Sequence, residues 1–74
     1  DPIKSAKKVG EEGVEVAIAA TAQDRSALIS ESADLLYHFL VLLESHDIAL
    51  DEVCEALAQR MGTSGLARHD GPAD

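Results

Sequence analysis

Five carboxylates carry the chemistry this chain could do. Glu11, Glu12 and Glu15 are spaced EExxE, and Glu31 and Asp34 follow as ExxD. At about 100° per residue, Glu11, Glu15, Ile18 and Ala22 share one helical stripe, with Val14 beside it and Glu12 at its other edge. Glu31, Asp34, Leu35, His38 and Leu42 form a corresponding stripe further on. Both sets of acids are thus expected on the apolar side of a helix. Anions crowded there are tolerable only when a cation neutralises them, which predicts a metal site. Residues three or four apart on a helix have Cβ atoms about 5 to 6 Å apart, so Glu12 with Glu15, and Glu31 with Asp34, can share one ion. A set of oxygen ligands selects Mg²⁺ or Mn²⁺ over zinc and leaves coordination positions open to water and phosphate.

A plainer account is a solvated face. Lys7 with Glu11 and Lys8 with Glu12 are i, i+4 pairs, and the first cluster taken alone fits that account as well as it fits a site. Asp34 does not, because it lies between Ser32-Ala33 and Leu35-Leu36, where exposing the acid would expose its leucine neighbours. Lys4, Lys7 and Lys8 stand one or two turns from Glu11, where ammonium groups can meet phosphate oxygens of a substrate beyond the metal; ordinary ion pairing is an equal use for them. His38, one turn past Asp34, is a candidate donor to a carboxylate or to substrate, or else a satisfied core histidine. Tyr37 points away from this stripe and is assigned to helix packing.

Three helices must position these groups. Pro2 suits a first helical turn, and the pattern continues to about Ala22 through Gly10 and Gly13, each costing about 1 kcal/mol against alanine. Gln23 and Asp24 make a short turn, with Asp24 placed to cap a second helix that reaches Ser45 or His46. A turn this short requires the two helices to pack antiparallel, bringing the acids toward one pocket. Leu35, Leu36, Phe39, Leu40, Val41, Leu42 and Leu43 point all round the second helix, which should therefore be central and covered on every side. Leu50, Val53, Cys54, Leu57, Ala58 and Met61 mark one apolar face of a third helix. Residues 1–61 read as one all-α domain, and 62–74, rich in glycine, as a flexible tail. Asp1 stands where an initiator methionine would, so a preceding segment is expected.

Composition agrees with this class. The chain has 74 residues, of which 46% are hydrophobic and only Tyr37 and Phe39 aromatic, a balance suited to aliphatic helix packing. A domain of this size buries only about 60% of its unfolded surface, so a partner subunit is expected. A net charge of −8 repels nucleic acid and anionic membranes and calls for local cations to receive phosphate. Cys54 is single and reads as a reduced, packed thiol with no catalytic role. The longest apolar run, Leu35 to Leu43 with His38 inside it, falls well short of the roughly 18 residues that cross a bilayer, and no signal peptide is evident.

The stretch KKVGEEGVEVAIAA from Lys7 to Ala20, the stretch ESADLLYH from Glu31 to His38, and the LLE ending at Glu44 closely resemble the phosphoribosyl-ATP pyrophosphohydrolase family of the MazG-like all-α nucleotide pyrophosphatases. The resemblance covers about residues 4 to 61. It implies hydrolysis of phosphoribosyl-ATP to phosphoribosyl-AMP and pyrophosphate, the second step of histidine biosynthesis, by a Mg²⁺-dependent helical homodimer in the cytoplasm. By motif match it implies that Glu12, Glu15, Glu31 and Asp34 are metal ligands, and that Glu11 is a further ligand or orients the attacking water. Family members usually carry another segment before the first motif helix, including residues that contact substrate, and the resemblance does not extend to the glycine-rich tail after Met61. Two other functions fit the same residues. One is a housekeeping pyrophosphatase acting on noncanonical nucleoside triphosphates; the other is a non-catalytic helical dimerisation module with surface acids. A ferritin-like di-iron centre is disfavoured because no Glu is followed three positions later by His.

Overall fold

A computed structural model describes residues 1–62 as three α-helices, with no strand among them: α1 (Pro2–Ala22), α2 (Arg25–Ser45) and α3 (Leu50–Met61). The all-α expectation holds, and the tail assigned to 62–74 lies, past Gly62, outside the described residues. Local chemistry sets each boundary. Asp1 caps α1, its carboxylate accepting from the Ile3 N–H at 3.1 Å, while Pro2 supplies a preset φ where no N–H is needed. Gln23 is extended, and Asp24 caps α2 by accepting from the Ala27 N–H at 2.9 Å, as expected. A linker of two residues then folds the helices back on each other.

The end of α2 is a Schellman turn. Ile48 N–H donates to the Leu43 carbonyl at 2.9 Å and Asp47 N–H to the Glu44 carbonyl at 3.0 Å, which puts Asp47 in the left-handed region at φ 58. Ala49 has no side chain to cap α3, but its N–H donates to Glu52 Oε2 at 3.0 Å. Asp51 and Glu52 in the first turn and Arg60 in the last match the helix dipole, and Gly62 at φ 79 ends the helix.

Along α1 the half-buried and buried positions include Ser5, Val9, Glu12, Val16 and Ala19, with Gly13 beside Glu12; along α2 they include Leu28, Glu31, Leu35, His38 and Leu42. Both sets step by alternating threes and fours, the seam of a coiled coil. This corrects the stripe expected on α1. The seam runs through Glu12 rather than through Glu11, Glu15 and Ile18, because Val9, Val16 and Ala19 pack on α2 and turn the helix by about one residue. Val14, at 58% exposure, and Ile18 are left on the outer face.

Nor is α2 covered on every side. Leu36 is 53% exposed, Leu40 and Val41 are open, and α3 makes little contact with the hairpin. Only Ala19 and Leu43 are buried apolar residues among those described. The molecule is a plate of 36 × 35 × 14 Å with a radius of gyration of 14.5 Å, against about 11 Å for a compact chain of this length. Cys54, expected to be packed, is exposed on α3. Over its most apolar stretch of 18 residues α2 reaches a mean hydropathy of 1.3, enough by length and composition alone to cross a membrane. The nine-residue apolar run understated this, because an average tolerates Glu31, Asp34 and His38 where an uninterrupted run does not. A helix meant to be covered on two sides has the same composition.

Candidate metal centre

The antiparallel seam brings acids from both helices to one height. Glu12, Glu31 and Asp34 each offer a carboxylate oxygen, all within 4.8 Å of one another. Glu12 and Glu31 occupy seam positions and are half-buried, whereas Asp34 stands exposed on the rim. Glu31 registers the crowding. Desolvation first, then the charges of Asp34, Glu15 and Glu12, raise its pKa above the usual 4.5. Around octahedral Mg²⁺, with each oxygen about 2.0 to 2.1 Å from the ion, adjacent oxygens stand about 3 Å apart and opposite ones about 4 Å. The three carboxylates lie near that range, and their all-oxygen donor set suits a hard divalent ion.

The other two acids lie apart. Glu15 is exposed, yet close enough to Glu31 to raise its proton affinity. Glu11 faces outward with its Oε1 3.8 Å from Lys8 Nζ, both groups about half exposed. This pair, worth about 0.2 to 1 kcal/mol, takes the place of the expected Lys7–Glu11 and Lys8–Glu12 pairs, because Glu12 turns into the seam.

Next to the acids, toward the open end of the hairpin, lies a shallow groove of about 240 Å³ lined by Lys4, Ser5, Lys8, Tyr37, His38 and Val41. Three of the four residues singled out for substrate thus line one surface. Lys7 is not among its lining residues. Tyr37, assigned from sequence to packing, is 63% exposed on the groove rim, its ring set edge-on to that of His38 at 5.1 Å and 76°. Its place directly beside His38, at the level of the lysines, was the available signal. A larger concavity of about 400 Å³ at the hairpin turn is lined by Asp24, Arg25, Ser26 and Ile29 and gathers no set of like charges.

A helical hairpin whose EExxE and ExxD acids meet across the seam defines a class, that of all-α proteins with a convergent carboxylate cluster. Within it, residues 1–61 match the model of the phosphoribosyl-ATP pyrophosphohydrolase family, and the chain belongs to that family. Proteins named phosphoribosyl-ATP pyrophosphatase are similar to it. The one from Caulobacter sp. (strain K31) is 63% identical over 67 residues, covering 90% of this chain and 63% of the relative. That from Ruegeria sp. (strain TM1040) is 54% identical over 66 residues, 89% of this chain and 63% of the relative. Phosphoribosyl-ATP pyrophosphatase 1 of Rhodopseudomonas palustris (strain ATCC BAA-98 / CGA009) is 58% identical over 65 residues, 88% of this chain and 61% of the relative. The chain therefore spans a little under two thirds of the length of these curated relatives. No solved structure matches it.

Proposed function

We propose that this chain hydrolyses phosphoribosyl-ATP to phosphoribosyl-AMP and pyrophosphate, the second step of histidine biosynthesis, as a Mg²⁺-dependent cytoplasmic homodimer. The observation that carries this is the meeting of Glu12, Glu31 and Asp34 across the seam of a hairpin that belongs to the family. Those three residues would hold the ion, with Glu15 the nearest fourth carboxylate. When bound, such an ion supplies neutralisation of phosphate charge and a more acidic water.

The residues of the chain have separate tasks. Lys4, Lys8 and His38 receive phosphate oxygens from the groove beside the acids. Glu15, which the resemblance makes a fourth metal ligand, is near enough to Glu31 to raise its proton affinity, and in this reading it would join the ion or accept a proton from the attacking water. Glu11, implied to be a further ligand or to orient the attacking water, faces Lys8 and would take either role after its side chain rotates. In the reaction a water oxygen bonds to phosphorus, the bridging P–O bond breaks, and pyrophosphate departs with the bond's electron pair. No covalent enzyme intermediate is required.

A second copy of the chain is the proposed cover for the open apolar groups. Leu36 and Leu40 on α2, Val14 and Ile18 on α1, and Leu50, Leu57 and Met61 on α3 are all exposed, while only Ala19 and Leu43 are buried apolar residues among those described, and apolar surface of that extent calls for a cover. The test is incubation of the purified protein with phosphoribosyl-ATP and Mg²⁺, following product masses. Appearance of phosphoribosyl-AMP with pyrophosphate supports the proposal. Turnover that is unchanged in Glu31→Ala or Asp34→Ala, with helicity intact, overturns the site.

A further inference from the structure

We infer that the Lys4–Lys8–His38 groove is a subsite for the pyrophosphoryl end of the substrate, the β- and γ-phosphates that leave together. The inference rests on the hydrolysis proposed above and adds which part of the substrate the groove takes.

Charge along the seam changes sign within one turn. Toward the hairpin turn from the acids, the seam is closed by Val16, Ala19, Ala27 and Leu28, which offer an anion nothing. Toward the open end stand Lys8 and Lys4, about 6 and 12 Å from Glu12 along the axis at about 1.5 Å per residue. A phosphate chain whose oxygens reach the carboxylate-held ion finds cations in that direction. Ser5 and Tyr37 add hydroxyl donors, and His38, held edge-on by the Tyr37 ring, adds an imidazole.

The lining favours the same occupant. The groove, at about 240 Å³, has room for two phosphates, and its lining of two ammonium groups, an imidazole and two hydroxyls suits anionic oxygens better than an apolar base. The phosphate on the phosphoribosyl group is the rival anion. It lies across the purine from the reacting anhydride, whereas the β- and γ-phosphates are continuous with the oxygens the ion would hold. Pyrophosphate is then a competitive product inhibitor, and a nucleoside diphosphate, which lacks the outer phosphate, is a poor substrate.

The test is calorimetric binding of inorganic pyrophosphate with Mg²⁺ to wild type, Lys4→Gln, Lys8→Gln and Arg25→Gln, with ribose 5-phosphate as a second probe. Each lysine variant should weaken pyrophosphate binding about tenfold or more, the size of one charge-assisted hydrogen bond, and raise KM for phosphoribosyl-ATP in parallel. Arg25→Gln, at the far end of the hairpin, should bind as wild type does. Pyrophosphate affinity unchanged in both lysine variants, or a loss confined to ribose 5-phosphate, overturns the inference. A wild-type protein that binds pyrophosphate in this pattern without turning over phosphoribosyl-ATP refutes the proposed hydrolysis and leaves the groove supported. Turnover with lysine-independent pyrophosphate binding does the reverse.

Discussion

At the scale of single residues, Glu31 is the sensitive group. It is half-buried in the seam and faces Asp34, Glu15 and Glu12, so the folded chain holds its proton to a higher pH than the unfolded chain does. Through the window from the usual 4.5 up to that raised value, the native state binds more protons than the unfolded state, and the contribution of Glu31 to stability falls as pH rises. Above that window the metal-free protein carries the full penalty. Glu31→Gln is therefore expected to raise the thermal midpoint of the metal-free protein at pH 7 and to leave it unchanged well below pH 4.5, as read by circular dichroism. Added Mg²⁺ should stabilise the wild type and not the variant, because a ligand of the native state adds stability in proportion to its binding. Part of this was legible from spacing: Glu31 and His38 lie on the α2 stripe that the sequence indicated, whereas Glu12, placed there only at the edge of its stripe, sits in the seam, and Asp34, read as hard to expose, stands open on the rim. The facing of Glu11 and Glu15 was not, since EExxE offers two stripes one residue apart and both are flanked by apolar side chains. Only the packing of Val9, Val16 and Ala19 against α2 decides between them.

At the scale of elements, capping explains the helix limits. Pro2, Asp24 and Gly62 announce three of the boundaries in the sequence, because each has one dominant local use. Asp24→Ala removes the acceptor of the Ala27 N–H and should cost about 1 kcal/mol in a urea unfolding titration. Asp47 was not legible, since nothing near it marks an aspartate as left-handed; the requirement comes from the Schellman turn that lets α3 leave the hairpin. Asp47→Gly should accordingly stabilise the protein by about 0.5 to 1 kcal/mol, and Asp47→Val, whose branched Cβ resists φ 58, should destabilise it by about 1 to 2 kcal/mol. Equal effects of the two substitutions would show that the turn exerts no conformational demand at this position.

At the scale of the whole molecule, the hairpin aligns the acids but buries almost nothing. A 14 Å plate with open leucines on α2 and α3 has its apolar surface arranged for a second body, and the proposed homodimer supplies one. Leu57 is 45% exposed in the middle of the α3 face, so Leu57→Glu should shift sedimentation toward a monomer and lower helicity, whereas an unchanged mass would place the interface elsewhere. Chain length is what makes a partner an expectation; that α3 makes little contact with the hairpin was hidden, because its amphipathic pattern reads the same whether the face meets this chain or another. The central claim is that carboxylates from two helices meet to hold a divalent ion. Calorimetric titration of Mg²⁺ into wild type, Glu12→Gln and Asp34→Asn tests it most directly, one substitution being made on each side of the seam. Both variants are expected to lose Mg²⁺ affinity about tenfold or more with their helicity intact; affinity equal to wild type in both would contradict the account.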